Sequence, residues 1–206
     1  ILDPKFASFV GMHPIPIRHG MTIGELALMI NEEGWLSDGL KANLKVIQYR
    51  GNPNERDKRG AFNPQPSPNM PDLATAWNYQ GLCLLEGTNI SEGRGTDRPF
   101  KILGAPWIEN EKLLNAIGSF LHKNDKVDTI SFVPWSLPGK STYPKYEDEL
   151  CYGLSIQNLE DPIKWTIYLF EILASLYPQK FNFLDTNFID KLYGSDILRL
   201  SINEGV

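Results

Sequence analysis

Gly153-Leu-Ser-Ile-Gln-Asn-Leu-Glu-Asp-Pro-Ile-Lys-Trp-Thr-Ile-Tyr-Leu-Phe-Glu-Ile-Leu-Ala-Ser-Leu176 is the stretch that decides the fold class. Gly153 to Ile156 reads as a short buried strand. Asp161 then supplies an N-cap, and Pro162 occupies the first helical position, where its missing N–H costs nothing and its fixed φ suits the helix. The helix is predicted to run to Leu176. Working outward, Val127 to Val133 reads as a second strand. Asn110 opens a helix with Leu113, Leu114, Ile117, Phe120 and Leu121 on one face, and two short helices near 187–192 and 195–204 close the chain. Toward the N-terminus, Thr22-Ile-Gly-Glu25 is a capping box with Met21 and Leu26 placed as its hydrophobic staple, and its helix should reach about Gly34. Leu44 to Tyr49 alternates like a strand, residues 51–71 carry so many Pro, Gly and Asn that only an extended loop fits, and a short helix from Asp72 to Asn78 leads into a strand ending at Leu85. Strands and helices alternate. The predicted class is α/β, with α+β as the alternative, built on a small mixed sheet flanked by helices.

The 206 residues are 42% hydrophobic and 22% charged, with a net charge of −5. That length buries roughly 70% of the unfolded surface. A mildly acidic chain without a dense Lys/Arg cluster has no electrostatic case for nucleic acid as a partner. The longest apolar segment, Trp165 to Leu176, is broken by Thr166, Glu171 and Ser175 and is too short to span a membrane. Cys83 and Cys151 sit in apolar surroundings and read as buried free thiols.

Function concentrates in Leu84-Leu-Glu-Gly-Thr-Asn-Ile-Ser-Glu-Gly-Arg-Gly-Thr-Asp-Arg-Pro-Phe100. Two carboxylates, Glu86 and Glu92, and two guanidiniums, Arg94 and Arg98, are spaced by glycines and small polar residues. Paired carboxylates in different environments divide acid and base work, as in glycoside hydrolysis, so Glu86 and Glu92 are the catalytic candidates. Arg94 and Arg98 suit a bidentate grip on a carboxylate or phosphate. The bland alternative is that the four charges pair internally and only hold the loop. A nucleotide phosphate loop is a poor alternative, because the Walker lysine and the glycine spacing are missing.

Two further segments contribute candidates. In Met12-His-Pro-Ile-Pro-Ile-Arg-His-Gly-Met21, Arg18 and His19 stand just before a helix N-terminus able to attract an anion. Zinc is not expected there, because no partner His or Cys lies at ligand spacing, and neither a metal nor a cofactor is implied anywhere. In Asn63-Pro-Gln-Pro-Ser-Pro-Asn-Met-Pro71 a stiff backbone presents Ser67 and Asn69. His13 reads as a packed loop residue and His122 as a charge complement at a helix end. Trp35, Trp77, Trp107 and Trp135 could stack on sugar faces or serve the core, with nothing in the pattern to choose between them.

Pro14-Ile-Pro-Ile-Arg-His-Gly-Met-Thr-Ile-Gly-Glu-Leu-Ala27, Pro66-Ser-Pro-Asn-Met-Pro71, Leu85-Glu-Gly-Thr-Asn-Ile-Ser-Glu-Gly-Arg-Gly-Thr96, Arg98-Pro-Phe100, Gly104-Ala-Pro-Trp107 and Leu192-Tyr-Gly-Ser-Asp-Ile-Leu-Arg199 together resemble the bacterial exo-β-N-acetylmuramidases. The resemblance implies a peptidoglycan-recycling glycosidase that removes N-acetylmuramic acid from the non-reducing end of muropeptide-derived sugars, in the periplasm or outside the cell. It implies an N-terminal Rossmann-like domain and a C-terminal α/β domain with the cleft between them. On this resemblance residues 1–206 read as a single C-terminal domain, truncated at both ends, with its N-terminal partner domain missing. The family's Pro-Glu-His-Gly motif, whose Glu looks catalytic, has no counterpart here. Glu86 and Glu92 then support chemistry whose main acid lies elsewhere, while Arg18, His19, Asn69, Asn89, Arg94 and Arg98 bind substrate, Arg94 or Arg98 taking the lactyl carboxylate. The alternative is a non-catalytic binding or structural domain whose Glu/Arg loop packs on a partner domain.

Overall fold

The computed structural model describes residues 2–48 and 67–205. Six α-helices and three strands are placed among them: α1 (Ile23–Glu32), α2 (Leu73–Leu82), β1 (Ile102–Ala105), α3 (Asn110–Ile117), β2 (Lys126–Phe132), β3 (Cys151–Asn158), α4 (Pro162–Leu176), α5 (Phe188–Tyr193) and α6 (Ile197–Glu204). The sheet has the order β1-β3-β2. Both pairings are antiparallel, so the mixed sheet expected from the sequence is corrected to an antiparallel one. Local pattern shows where strands lie but not which way neighbours run.

β3 is central and its burial follows. Cys151, Gly153, Leu154, Ser155 and Ile156 are buried, and Leu154 and Ile156 join a core with Leu113 and Ile117 of α3 and Trp165, Leu169, Phe170 and Leu173 of α4. Gly153 faces Gly104 across one ladder and Ile130 across the other. A Cβ on Gly153 would stand 1.9 Å from the Leu103 carbonyl oxygen, so only glycine lets β1 come this close. α4 begins as predicted: the Asp161 side chain accepts from Lys164 N and Pro162 sits at the start.

The apolar run Leu82–Leu85 is not a strand. α2 is capped by Asp72, whose carboxylate accepts from Thr75 N at 2.8 Å. It passes Asn78, ends at Leu82 and tightens into a 3₁₀ turn over Cys83–Gly87. Leu82, Leu84 and Leu85 are all fully buried. A continuous apolar run whose three leucines are all buried shows no period, so helix and strand look alike in its sequence.

The N-terminal stretch behaves differently. The Thr22–Glu25 capping box forms, with Glu25 N donating to Thr22 Oγ1 at 3.2 Å and Thr22 N to Glu25 Oε2 at 2.7 Å. Yet no residue of 2–48 is buried, and Ile23 on α1 is 88% exposed. Among the described residues Leu44 to Ile47 pair with no strand, while Tyr49 and residues 50–66 lie outside the described residues. Both cysteines are free, Cys151 buried and Cys83 partly so. Among the described residues no helix is long and apolar enough to cross a membrane.

Candidate active site in the Glu/Arg loop

The buried turn after α2 delivers Glu86 and then a loop sewn into the sheet. Ser91 and Gly104 of β1 exchange backbone bonds of 2.9 and 3.0 Å, and Phe100 N donates to Glu92 O at 2.8 Å. Gly93 and Gly95 both take φ +80, and their neighbours leave no room for a side chain: a Cβ on Gly95 would lie 2.7 Å from Trp135 O. Here the glycines are needed for conformation and for close approach.

Inside that loop the charges form one group. Arg94 Nη2 donates to Glu86 Oε2 at 3.0 Å. Arg94 Nε lies 3.3 Å from Glu92 Oε1, near enough for attraction but too poorly directed for a hydrogen bond, which leaves that N–H without a partner. Lys145 completes the group. Its ammonium donates to Leu85 O at 2.8 Å, Ile90 O at 2.9 Å and Glu92 Oε2 at 2.9 Å, filling all three of its donors. The Glu92 side chain is 6% exposed and enclosed by two cations. Glu86 is more open, and burial raises its pKa against the opposing pull of Arg94. The surroundings therefore treat the two carboxylates differently. Two carboxylates and two cations cancel while Glu86 is ionised, and a protonated Glu86 leaves one net positive charge.

Tyr79 and Phe100 form the apolar wall. Their rings meet edge to face at 4.7 Å, and the Arg94 guanidinium sits 5.2 Å from the Phe100 centroid. Burial, with Glu86 nearby, pushes the Tyr79 hydroxyl up to about 12. Burial also pushes the Cys83 thiol to about 12, so neither supplies an anion near neutral pH.

With this geometry in place, comparison with known proteins identifies the lineage. The family model described as exo-beta-N-acetylmuramidase NamZ, C-terminal, matches residues 77–206, and its N-terminal counterpart matches residues 1–74. The chain belongs to the NamZ family. It is similar to the peptidoglycan beta-N-acetylmuramidase NamZ of Bacillus subtilis strain 168, with 37% identity over 209 residues, 100% of this chain and 48% of that protein. A crystal structure of a DUF1343 family protein from Bacteroides fragilis superimposes with a TM-score of 0.77 at 34% identity, over 100% of this chain and 53% of that one. A second DUF1343 protein from the same organism shares the fold, with a TM-score of 0.80 at 23% identity over 99% and 54%. The chain thus spans about half the length of the NamZ relative it matches.

The remaining candidates of this NamZ-family chain occupy different positions. Arg98 Nη2 donates to Ser155 Oγ on β3 at 2.8 Å. Asn89 spends its amide internally, donating to Lys180 O at 2.7 Å and accepting from Asn182 N at 3.0 Å. Asn69 donates to Lys140 O at 2.8 Å. Arg18 bonds Gln80 at 2.8 Å and covers Trp77 at 4.8 Å, and His19 Nδ1 accepts from Met21 N at 3.2 Å. Among the described residues no hydrogen bond or ion pair joins Arg18 or His19 to the Glu86–Arg94 group. Sequence reading missed Lys145 and Tyr79. Lys145 lies 53 residues from Glu92, in a Tyr-Pro-Lys-Tyr stretch with no charge pattern to signal it. Replacing Asn89 with alanine is expected to lower stability by about 1 kcal/mol, because two side-chain hydrogen bonds go while water can still reach the exposed Asn182 N–H. Thermal denaturation checks it, and an unchanged midpoint would return Asn89 to the pool of free ligand-binding groups.

Proposed function

We propose that the whole protein carrying this chain is a glycoside hydrolase that removes N-acetylmuramic acid from the non-reducing end of peptidoglycan fragments, working in the periplasm or outside the cell. The observation that carries the reading is the Glu86–Arg94–Glu92–Lys145 group, a partly buried charge cluster in a NamZ-family loop. Glu86 is the proton-handling carboxylate on this chain, since burial favours its neutral form. Glu92, held between Arg94 and Lys145, keeps the arginine fork in place. Arg94 takes the lactyl carboxylate of the sugar in this reading, and Arg98, Asn69, Asn89, Arg18 and His19 are the further candidates for contact with the glycan.

Residues 77–206, which contain the sheet and nearly all of the core, form the body of the C-terminal domain in this reading. Residues 1–74 belong to its junction with an N-terminal Rossmann-like domain that completes the cleft and brings the main catalytic acid. The exposed apolar side chains Phe9, Met12, Ile23, Leu40 and Ile47 support such a junction, because a covering partner would remove them from water.

The test uses the full-length protein and a chromogenic N-acetylmuramoside. Wild type is expected to release the sugar, and Arg94→Lys to raise KM roughly tenfold, a point charge replacing a planar fork. No release by wild type would sink the reading. A second reading, in which the cluster is only a clasp against a partner domain, draws on the saturation of Lys145 and expects Arg94→Lys to leave KM unchanged.

A further inference from the structure

We infer that Trp135 and Tyr143 form an aromatic platform for a second pyranose ring of the glycan, beyond the sugar held at Arg94. This rests on the glycosidase reading for its choice of sugar, but on separate observations for its position.

Of the five tryptophans in the chain, four are already engaged. Trp165 is buried in the core. Trp107 bonds the Tyr146 hydroxyl at 3.2 Å and meets the Tyr177 ring. Trp77 donates to Leu159 O at 2.6 Å beneath Arg18. Trp35 stacks on His13 at 5.1 Å. Trp135 is different: it is 58% exposed, and neither its indole N–H nor its ring has a partner among the described residues. Tyr143 is 84% exposed, with its hydroxyl equally unengaged.

The backbone that carries these rings is held at several points. Asp148 N donates to Pro134 O at 2.9 Å and Leu137 N to Ser141 O at 2.7 Å. Ser136 N reaches Glu147 Oε1 at 3.1 Å, and Tyr143 N reaches Ser136 Oγ at 3.0 Å. Tyr143, Tyr146 and Asp148 all hold left-handed backbone, with φ of 55, 57 and 61. A bulky residue kept there is an outlier that its surroundings must enforce. The segment is also tied to the candidate site at two points. Trp135 N donates to Gly95 O at 2.8 Å, one residue from Arg94, and Lys145 of the same segment binds Glu92.

Two exposed aromatic side chains with free donor tips, on backbone anchored beside a carboxylate-and-arginine group, suit a pyranose. Such a sugar offers a face of C–H groups to a ring and a rim of hydroxyls to polar tips. A cationic ligand would suit the rings alone but not the neighbouring arginine. Since the sugar cleaved from the end occupies the Arg94 group, the ring on this platform belongs to the remaining chain.

The experiment measures Kd of the full-length protein for a peptidoglycan tetrasaccharide of alternating sugars, and kcat/KM on that tetrasaccharide and on a small chromogenic muramoside, for wild type, Trp135→Ala, Tyr143→Ala and Trp135→Phe. Trp135→Ala is expected to weaken tetrasaccharide binding roughly tenfold and to lower the tetrasaccharide-to-muramoside ratio of kcat/KM by a similar factor, with Trp135→Phe restoring most of both. Tyr143→Ala should act in the same direction. An unchanged Kd and ratio overturn the platform, as does an equal loss on both substrates, which would place the rings under another part of the protein. Failure of wild type to bind the tetrasaccharide also overturns it. Binding that depends on Trp135 without any sugar release upholds the platform while removing the hydrolase reading.

Discussion

Lys145→Met is expected to lower the unfolding free energy by about 3 kcal/mol, and the melting temperature by roughly 6–12 °C for a chain of this size. The ammonium bonds the carbonyls of buried Leu85 and Ile90 and the Glu92 carboxylate at 2.8 to 2.9 Å. Its removal leaves Glu92 with only Arg94, at 3.3 Å and without a well-directed hydrogen bond. Loss of one partner from a buried pair costs more than the pair contributes, because the survivor stays desolvated. The Lys145 side chain is 24% exposed, which keeps the figure at the lower end of the buried range. Thermal or urea denaturation of the single variants and of Lys145→Met with Glu92→Gln closes a double-mutant cycle. A coupling energy near zero would show that the contact does not hold the loop.

Glu86→Gln is expected to reduce kcat on the muramoside by about 100-fold or more in the full-length protein, the lower range for loss of a positioned proton donor or acceptor. Its effect on stability should have the opposite character to that of Lys145. Burial raises the folded-state pKa of Glu86 above its ordinary value of 4.5 despite Arg94. The folded state therefore binds more protons than the unfolded one between those two values. Stability from this group is fully present below the unfolded pKa and is lost as pH rises through the folded one. Glutamine removes that slope, so the variant's stability should change less between acidic and neutral pH than that of wild type. Full turnover by Glu86→Gln would shift the proton work entirely to the other half of the cleft.

What could be read from the sequence followed the range of the interactions involved. The start of α4 at Asp161-Pro162 and the Thr22–Glu25 box are local devices, complete within four residues, and both are present as expected. The Glu86/Glu92/Arg94 gathering was also visible, because its members lie within nine consecutive residues. In sequence the Leu82–Leu85 turn reads as a strand, because an unbroken apolar run with all three leucines buried carries no helical period. β1 escaped notice because it has only four residues, all buried, with a glycine among them. Lys145 and the internal use of Asn89 depend on contacts across 53 and more residues, which one sequence does not display.

The cancelling charges around Arg94 have a thermodynamic consequence. With Glu86 ionised, the group has no surplus positive charge to offer an anion. If a sugar acid seats on Arg94 as proposed, its charge goes uncompensated unless the Glu86 carboxylate gives way or takes up a proton. Occupancy and protonation then become linked equilibria, with affinity for a carboxylated sugar rising as pH falls, while a neutral sugar of the same shape draws no such proton. On the proposed reading, a loop without one net charge to spare would distinguish acidic from neutral sugars in this way.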